Sequence, residues 1–262
     1  MRIFTFKNFR ILIMLMILGL VASHVKDQQL VTQGWYQPLD IVIYPINPEH
    51  SPIVQRYIDS LDTSSYKEID DFISRESEKY DIITSQPTRT RLGEILTVYP
   101  PEPPPPNSSR IDNILWSLKL RYWIWKNAPE EADEKYLVRM FVLYHDPATF
   151  GRLKHSVGLQ KGLVGIVNAY GVKSQSTQNN MVIAHEFLHT VGASDKYDAY
   201  GHPLVPYGLG DPEKSPRFPQ KKAEIMAGKR AISTNTSEMP FSFRHMVIGA
   251  KTAQEIGWLN SL

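Results

Sequence analysis

The chain contains no cysteine. Disulfides, thiolate metal ligands and a cysteine-based latency switch are therefore excluded, and any metal site must be built from His, Asp, Glu or water. A surplus of one charge sign is missing too. There are 29 Lys and Arg against 27 Asp and Glu. Residues 1–23 hold three of the cations (Arg2, Lys7, Arg10) and none of the acids, so the remainder carries a net charge of −1. That balance lacks the basic footprint of a nucleic-acid binder, and no nucleic-acid partner is expected. Internal repeats are absent. Long apolar runs are scarce. The one from Ile11 to Ala22, broken only by Gly19, falls short of the roughly 20 residues that a bilayer span needs. Behind its basic start it suits the core of a signal peptide, with Val21-Ala22-Ser23 as small residues for cleavage before His24. The expectation is a signal peptide over residues 1–23, or a membrane anchor through residues 11–22 if uncleaved. The protein would then be secreted, periplasmic or anchored, and would meet a membrane only through this segment.

What is present suffices for a sizeable core: 262 residues, 42% of them hydrophobic, with 5 Trp, 13 Tyr and 10 Phe. Residues 24–262 are expected to form one domain, and 24–37 to be a lead-in without regular structure. Leu39–Tyr44 (L-D-I-V-I-Y) reads as a buried strand stopped by Pro45. Ser51–Leu61 and Tyr66–Tyr80 read as helices, the second with an apolar face of Ile69, Phe72, Ile73 and Tyr80. Gly93–Tyr99 reads as a second strand. The run P-P-E-P-P-P-P at 100–106 favours extended polyproline II, and so a stiff surface connector; it is the best place for a domain boundary if there is one.

Ser109 is a cap for a helix over Arg110–Lys126, where Ile111, Ile114, Leu115, Leu118, Tyr122 and Trp125 keep the helical period and predict the face that packs on a sheet. An acidic turn follows at Ala128–Lys135. Tyr136–Tyr144 is the strongest strand signal, and Leu163–Tyr170 is a glycine-flanked strand. Ser242–Gly257 reads as a final helix with Phe243, Met246, Val247, Ala250 and Ala253 on its apolar side.

The chemistry concentrates between Asn179 and Asp198, which contains H-E-x-x-H at His185, Glu186 and His189. Residues four apart share a helix face, so both imidazoles reach one ion with Glu186 beside it as a base. The helix should span about Gln178–Val191, with Met181, Ala184, Leu188 and Val191 facing the core. Gly192 stands where a helix turns off through a left-handed residue, which brings Asp195 back towards the metal. A hydrolytic zinc takes three protein ligands and leaves a fourth position for water. Asp195 is the first choice for the third ligand; His202, Asp198, Glu224 and Glu255 are rivals. A long Pro- and Gly-rich loop occupies Lys196–Ala223.

The pattern H-E-x-x-H-x-x-G-x-x-D resembles the metzincin signature with aspartate as third ligand, as in snapalysin-like and immune-inhibitor-A-like secreted metallopeptidases; D-K-Y-D at 195–198 is similar to the latter. The resemblance implies an α+β zincin fold, with a twisted mixed sheet, an active-site helix, a Met-turn and a C-terminal helix. It implies one Zn2+ held by His185, His189 and Asp195, Glu186 as general base, and Met226 in a Met-turn at Glu224–Gly228. The strand before the motif helix, Leu163–Tyr170, would be an edge bordering the cleft and pairing with extended peptide. The sequence departs from the family in carrying Ala193-Ser194 instead of Leu-Pro, and no tyrosine closely follows Met226. Tyr197, Tyr200, Tyr207 and His245 are the candidates for stabilising the transition state. The implied activity is a zinc-dependent endopeptidase acting on peptide or protein substrates. The alternatives are an inactive zincin-fold binding protein of the cell envelope and a zinc amidase acting on cell-wall peptides.

Overall fold

The computed structural model describes residues 6–105, 108–131 and 136–259. Five strands form its central sheet: β1 (Leu39–Ile46), β2 (Thr88–Leu92), β3 (Leu137–His145), β4 (Val157–Leu159) and β5 (Val164–Tyr170), in the order β2-β1-β3-β5-β4. All pairings are parallel except that of β4 with β5. The crossovers carry α2 (Pro52–Asp59) and α3 (Lys67–Ser77) before β2, then α4 (Arg110–Asn127) between β2 and β3. After β5 come α5 (Ser176–Thr190), the short strands β6 (Ala223–Glu224), β7 (Arg230–Ala231), β8 (Ser237–Glu238) and β9 (Met246–Val247), and α6 (Ala250–Glu255). A long helix, α1 (Phe6–Gly34), precedes the sheet. The architecture is mixed α/β around a mostly parallel sheet. Strands from both sides of the Pro-rich connector pair within that one sheet, so the connector does not divide it. Pro106 of the connector and residues 132–135 of the acidic turn lie outside the described residues.

Parallel strands covered on both faces need apolar side chains on both, which is why β1, β3 and β5 are near-continuous hydrophobic runs. Alternation sorts them into two cores. Ile41, Ile43, Val138, Met140 and Val142 point to one side, where they meet α2, α3 and α5. Val42, Tyr44, Phe141 and Ile166 point to the other, against Leu120, Trp116 and Trp123 of α4. Trp123 meets Phe141 edge-on at 5.0 Å. Strand β1 runs through Pro45 instead of stopping there. Its carbonyl accepts from Leu96 N at 3.0 Å, and a strand residue's N and O face the same side. The missing N–H therefore points where β2 has already ended, and no ladder bond is lost.

Several expectations are corrected. Residues 24–34 are not an irregular lead-in but the end of α1, fixed by tertiary bonds. Gln33 Nε2 donates to Val191 O (3.3 Å) and Glu255 O (3.0 Å), and buried Trp35 donates to Ile256 O at 2.7 Å. Further back, α1 exposes Leu12, Leu15, Met16 and Leu18, but among the described residues no helix is long and apolar enough to cross a membrane. The second strand is Thr88–Leu92, not Gly93–Tyr99, of which only Leu96 makes a bridge, to Ile46. Thr88 and Thr90 both donate to Asp70 on α3, which supplies the partners that an apolar pattern would not reveal. The C-terminal helix shrinks to Ala250–Glu255, because Met246–Val247 pairs with β6 and Gly249 becomes the N-cap.

The expected packing face of α4 is the exposed one. Ile111, Ile114, Leu115, Leu118, Tyr122 and Trp125 are between 52% and 79% exposed, while Leu120, on the opposite side of the helix, is the buried one at 2%. Trp116 and Trp123 pack with Leu120 against the sheet instead. Leu120→Ala should lower stability by about 2–4 kcal/mol and Leu118→Ala by no more than about 0.5 kcal/mol in urea unfolding. The reverse order would mean that α4 packs through the other face.

Candidate metal centre

Helix α5 is set by two asparagines. Asn179 exchanges two hydrogen bonds with the backbone of Tyr170 (2.8 and 3.1 Å), tying the helix to the end of β5. Asn180 Nδ2 donates to Ser65 O at 2.8 Å, tying it to the segment before α3. The expected inner stripe holds: Met181, Ala184, Leu188 and Val191 are all buried. His185 and His189 lie at the rim, their side chains 13% and 16% exposed. Gly192 then turns the chain at φ +116°, and a β-carbon there would approach Gln33, Gln160 and the Glu255 carbonyl to about 3.0 Å or less. Glycine is what both the conformation and the space require.

The turn delivers Asp195. Its Oδ1 lies 3.2 Å from His185 Nε2 and 3.1 Å from His189 Nε2, and the two Nε2 atoms are 3.1 Å apart. Each imidazole has its other nitrogen against a carbonyl: His185 Nδ1 donates to Ile225 O (2.9 Å) and His189 Nδ1 to Ala193 O (2.8 Å). A carbonyl only accepts, so Nδ1 carries the proton and Nε2 presents a lone pair. Two lone pairs and a carboxylate oxygen thus face one point, an arrangement that a bound cation would relieve. Burial disfavours a charged His185, yet Asp195, Glu186 and the Ile225 carbonyl together raise its pKa. Burial likewise works against ionised Asp195, but the hydrogen bonds and charges of His185 and His189 hold its carboxyl well below the usual range. Three ligands roughly 2.0–2.2 Å from a tetrahedral zinc would stand about 3.3–3.6 Å apart, close to the observed triangle. The donor set therefore fits such an ion, and among the described residues it is the group of His, Asp and Glu able to hold one.

Three of the four rival ligands are occupied elsewhere, and the fourth, His202, is not among the residues that gather at the centre. Asp198 accepts from the backbone of Tyr200 and His202. Glu224 is fully buried under the turn, accepting from Ala227 N, Gly249 N and Thr252 Oγ1. Glu255 accepts from Ser194 N and Lys196 Nζ. Met226 is buried, and it is the neighbouring Ile225 carbonyl that touches the centre.

Glu186 is buried beside the histidines, and its Oε2 has no hydrogen-bond partner. Burial raises its pKa, offset in part by His185 and His189. With His185, Tyr197 and Met246 it lines a cleft of about 290 Å3. Of the four candidate stabilisers, Tyr197 alone lines this cleft. Its ring stacks 6.4 Å from that of His185, and burial together with the nearby Asp195 carboxylate raises the pKa of its hydroxyl. Tyr200, Tyr207 and His245 are exposed and do not line it. The bordering edge strand is β4, not the expected Leu163–Tyr170, which is paired on both sides. At three residues β4 is too short to announce itself in sequence. Its Gly158 marks it nonetheless: a β-carbon there would sit 2.2 Å from Glu186 O and 2.6 Å from His189 Cβ. Lys196, 4% exposed and bonded to Glu255 and Ser194, is another supporting residue that no motif flags.

Excess Zn2+ should raise the thermal midpoint of the wild type, by the equivalent of about 4 kcal/mol at a thousandfold excess over Kd. Asp195→Ala, at a half-exposed position, should fold and lose most of that increment in differential scanning fluorimetry. A wild type indifferent to metal would remove the centre. Comparison with known protein families and with curated proteins finds no match for the chain.

Proposed function

We propose that the chain is a zinc-dependent endopeptidase of metzincin-like plan, exported across a membrane, with His185, His189 and Asp195 as zinc ligands. The observation that carries this reading is the convergence of three acceptor atoms beside a buried carboxylate with an unsatisfied oxygen. A bound zinc would supply a Lewis acid and lower the pKa of a water it holds.

The chain's own residues supply the rest. Glu186 Oε2 has its hydrogen-bonding capacity to spare, and its raised pKa suits a group that must first take a proton and later return it. It takes the proton of the attacking water and delivers it to the leaving amine. The Tyr197 hydroxyl keeps its proton far above neutral pH and so remains a donor to the oxyanion that develops at the attacked carbonyl. Among the described residues β4 pairs with β5 alone, so its outer edge offers backbone groups to an extended peptide. Gly158 lets that edge lie against α5, which brings a peptide held there alongside Glu186. The turn at Glu224–Gly228, with Met226 inside it, acts as the floor that orients His185 through the Ile225 carbonyl.

A proteome-derived peptide library should be cleaved by the zinc-loaded wild type. Glu186→Gln should retain zinc and lose about 10²–10⁴-fold in kcat/KM; undiminished cleavage by this variant would refute the mechanism. Tyr197→Phe should lower kcat by about 10–10³-fold with little change in KM. A wild type that binds zinc and cleaves no peptide would instead favour a binding role for the same centre.

A further inference from the structure

The exposed side of α4 is a built surface rather than a leftover. Ile111, Leu115, Leu118, Tyr122 and Trp125 follow one another at alternating steps of four and three, so they form one strip along the helix. Tyr122 and Trp125 meet at its C-terminal end with ring centroids 5.8 Å apart. The helical period puts Lys119 and Lys126 along one flank of the strip and Arg110 and Arg121 along the other. The single acid within the helix, Asp112, is engaged with the N-cap Ser109. At the C-terminal end Arg121 and Lys161 line a cavity of about 370 Å3 with Trp125, where Glu130 is the one acidic lining residue.

We propose that α4 docks on an anionic lipid bilayer, lying in its surface with the apolar strip among the acyl chains. A basic helix with a Trp- and Leu-bearing face is suited to the headgroup boundary, where aromatic rings settle and long cationic side chains reach up to phosphates. The charge pattern selects this occupant over a second copy of the chain. Two such strips face to face would crowd eight flanking cations, while the paired acids remain turned to their caps. Helix α5, with the metal ligands, packs on the opposite face of the sheet, so a bilayer against α4 leaves it uncovered. The apolar, exposed N-terminal part of α1 is a separate membrane-seeking segment, and the proposal does not depend on it. Nor does it depend on the metal centre.

The absence of cysteine supplies the test. In the full chain, Leu118→Cys carries an environment-sensitive dye at a unique thiol, and Ser60→Cys, exposed at the end of α2 across the sheet, carries the control. Phosphatidylcholine vesicles containing phosphatidylglycerol should shift the 118 dye to the blue and expose it to quenching by lipids spin-labelled near the headgroup. The control dye should not respond. Lys119→Glu with Lys126→Glu should weaken the 118 response at least about twentyfold in lipid concentration, given the loss of roughly fivefold per neutralised cation. Flotation driven by α1 alone leaves the 118 dye in water and overturns the proposal. A 118 signal that appears without lipid and rises with protein concentration also overturns it, in favour of a second copy.

Discussion

Everything at the centre depends on two hydrogen bonds that are easy to pass over: those from the Nδ1 atoms of His185 and His189 to backbone carbonyls. They decide which nitrogen bears the proton, and so turn two basic side chains into two aligned lone pairs. Without them the imidazoles would share a proton, and Asp195 would complete an ordinary ion pair. The carbonyls belong to Ile225 and Ala193, two turns far apart in sequence. The precision of the site is therefore set by how those turns are held. Glu224, buried and bonded by three donors, holds the first. The Lys196–Glu255 pair and the Ser194 bonds hold the second.

These buried acids act differently from the surface pairs. Lys67–Asp71 and Lys154–Glu102 are exposed at both ends and contribute little. Glu76 is fully buried, yet it accepts from the Ile248 backbone and pairs with Arg75 and Lys79, so that α3 is fastened to the strand before α6. Asp70 does the same between α3 and β2. Removing either partner of such a group leaves a polar atom stranded, and that is what makes these links specific. The sheet supplies the mass of the core; these few carboxylates set where the irregular segments lie upon it.

The parts legible in the sequence were those whose pattern has a single physical cause. The runs of β1, β3 and β5 are apolar throughout because helices cover both faces, and the four-residue step between His185 and His189 has no meaning outside a helix. Gly192 was readable for the same reason. What was misread had two causes competing. The α4 stripe keeps a core-like period, but among the described residues it stays exposed, and the tryptophans on its other side take the sheet. Strand β2, T-R-T-R-L, hides behind polar residues because it is an edge whose threonines serve Asp70 and whose Arg89 and Arg91 pair with Asp40 and Glu131. Asn179, Gln33 and Lys196 left no signal at all, since a residue that props another's backbone has no pattern of its own.

Gln33 stands just before the first strand and Glu255 in the last helix, and the Gln33 side-chain amide joins the backbone of Glu255 to the turn that leads to Asp195. The chain is thus a closed circuit, latched at the position where Gly192 reverses direction. A polypeptide that emerges from its N-terminus onward acquires both histidines and Asp195 while the final clasp is still unmade. Sheet and motif helix precede Glu255 in the chain, so the turn that positions Asp195 gains this tie only once α6 is in place.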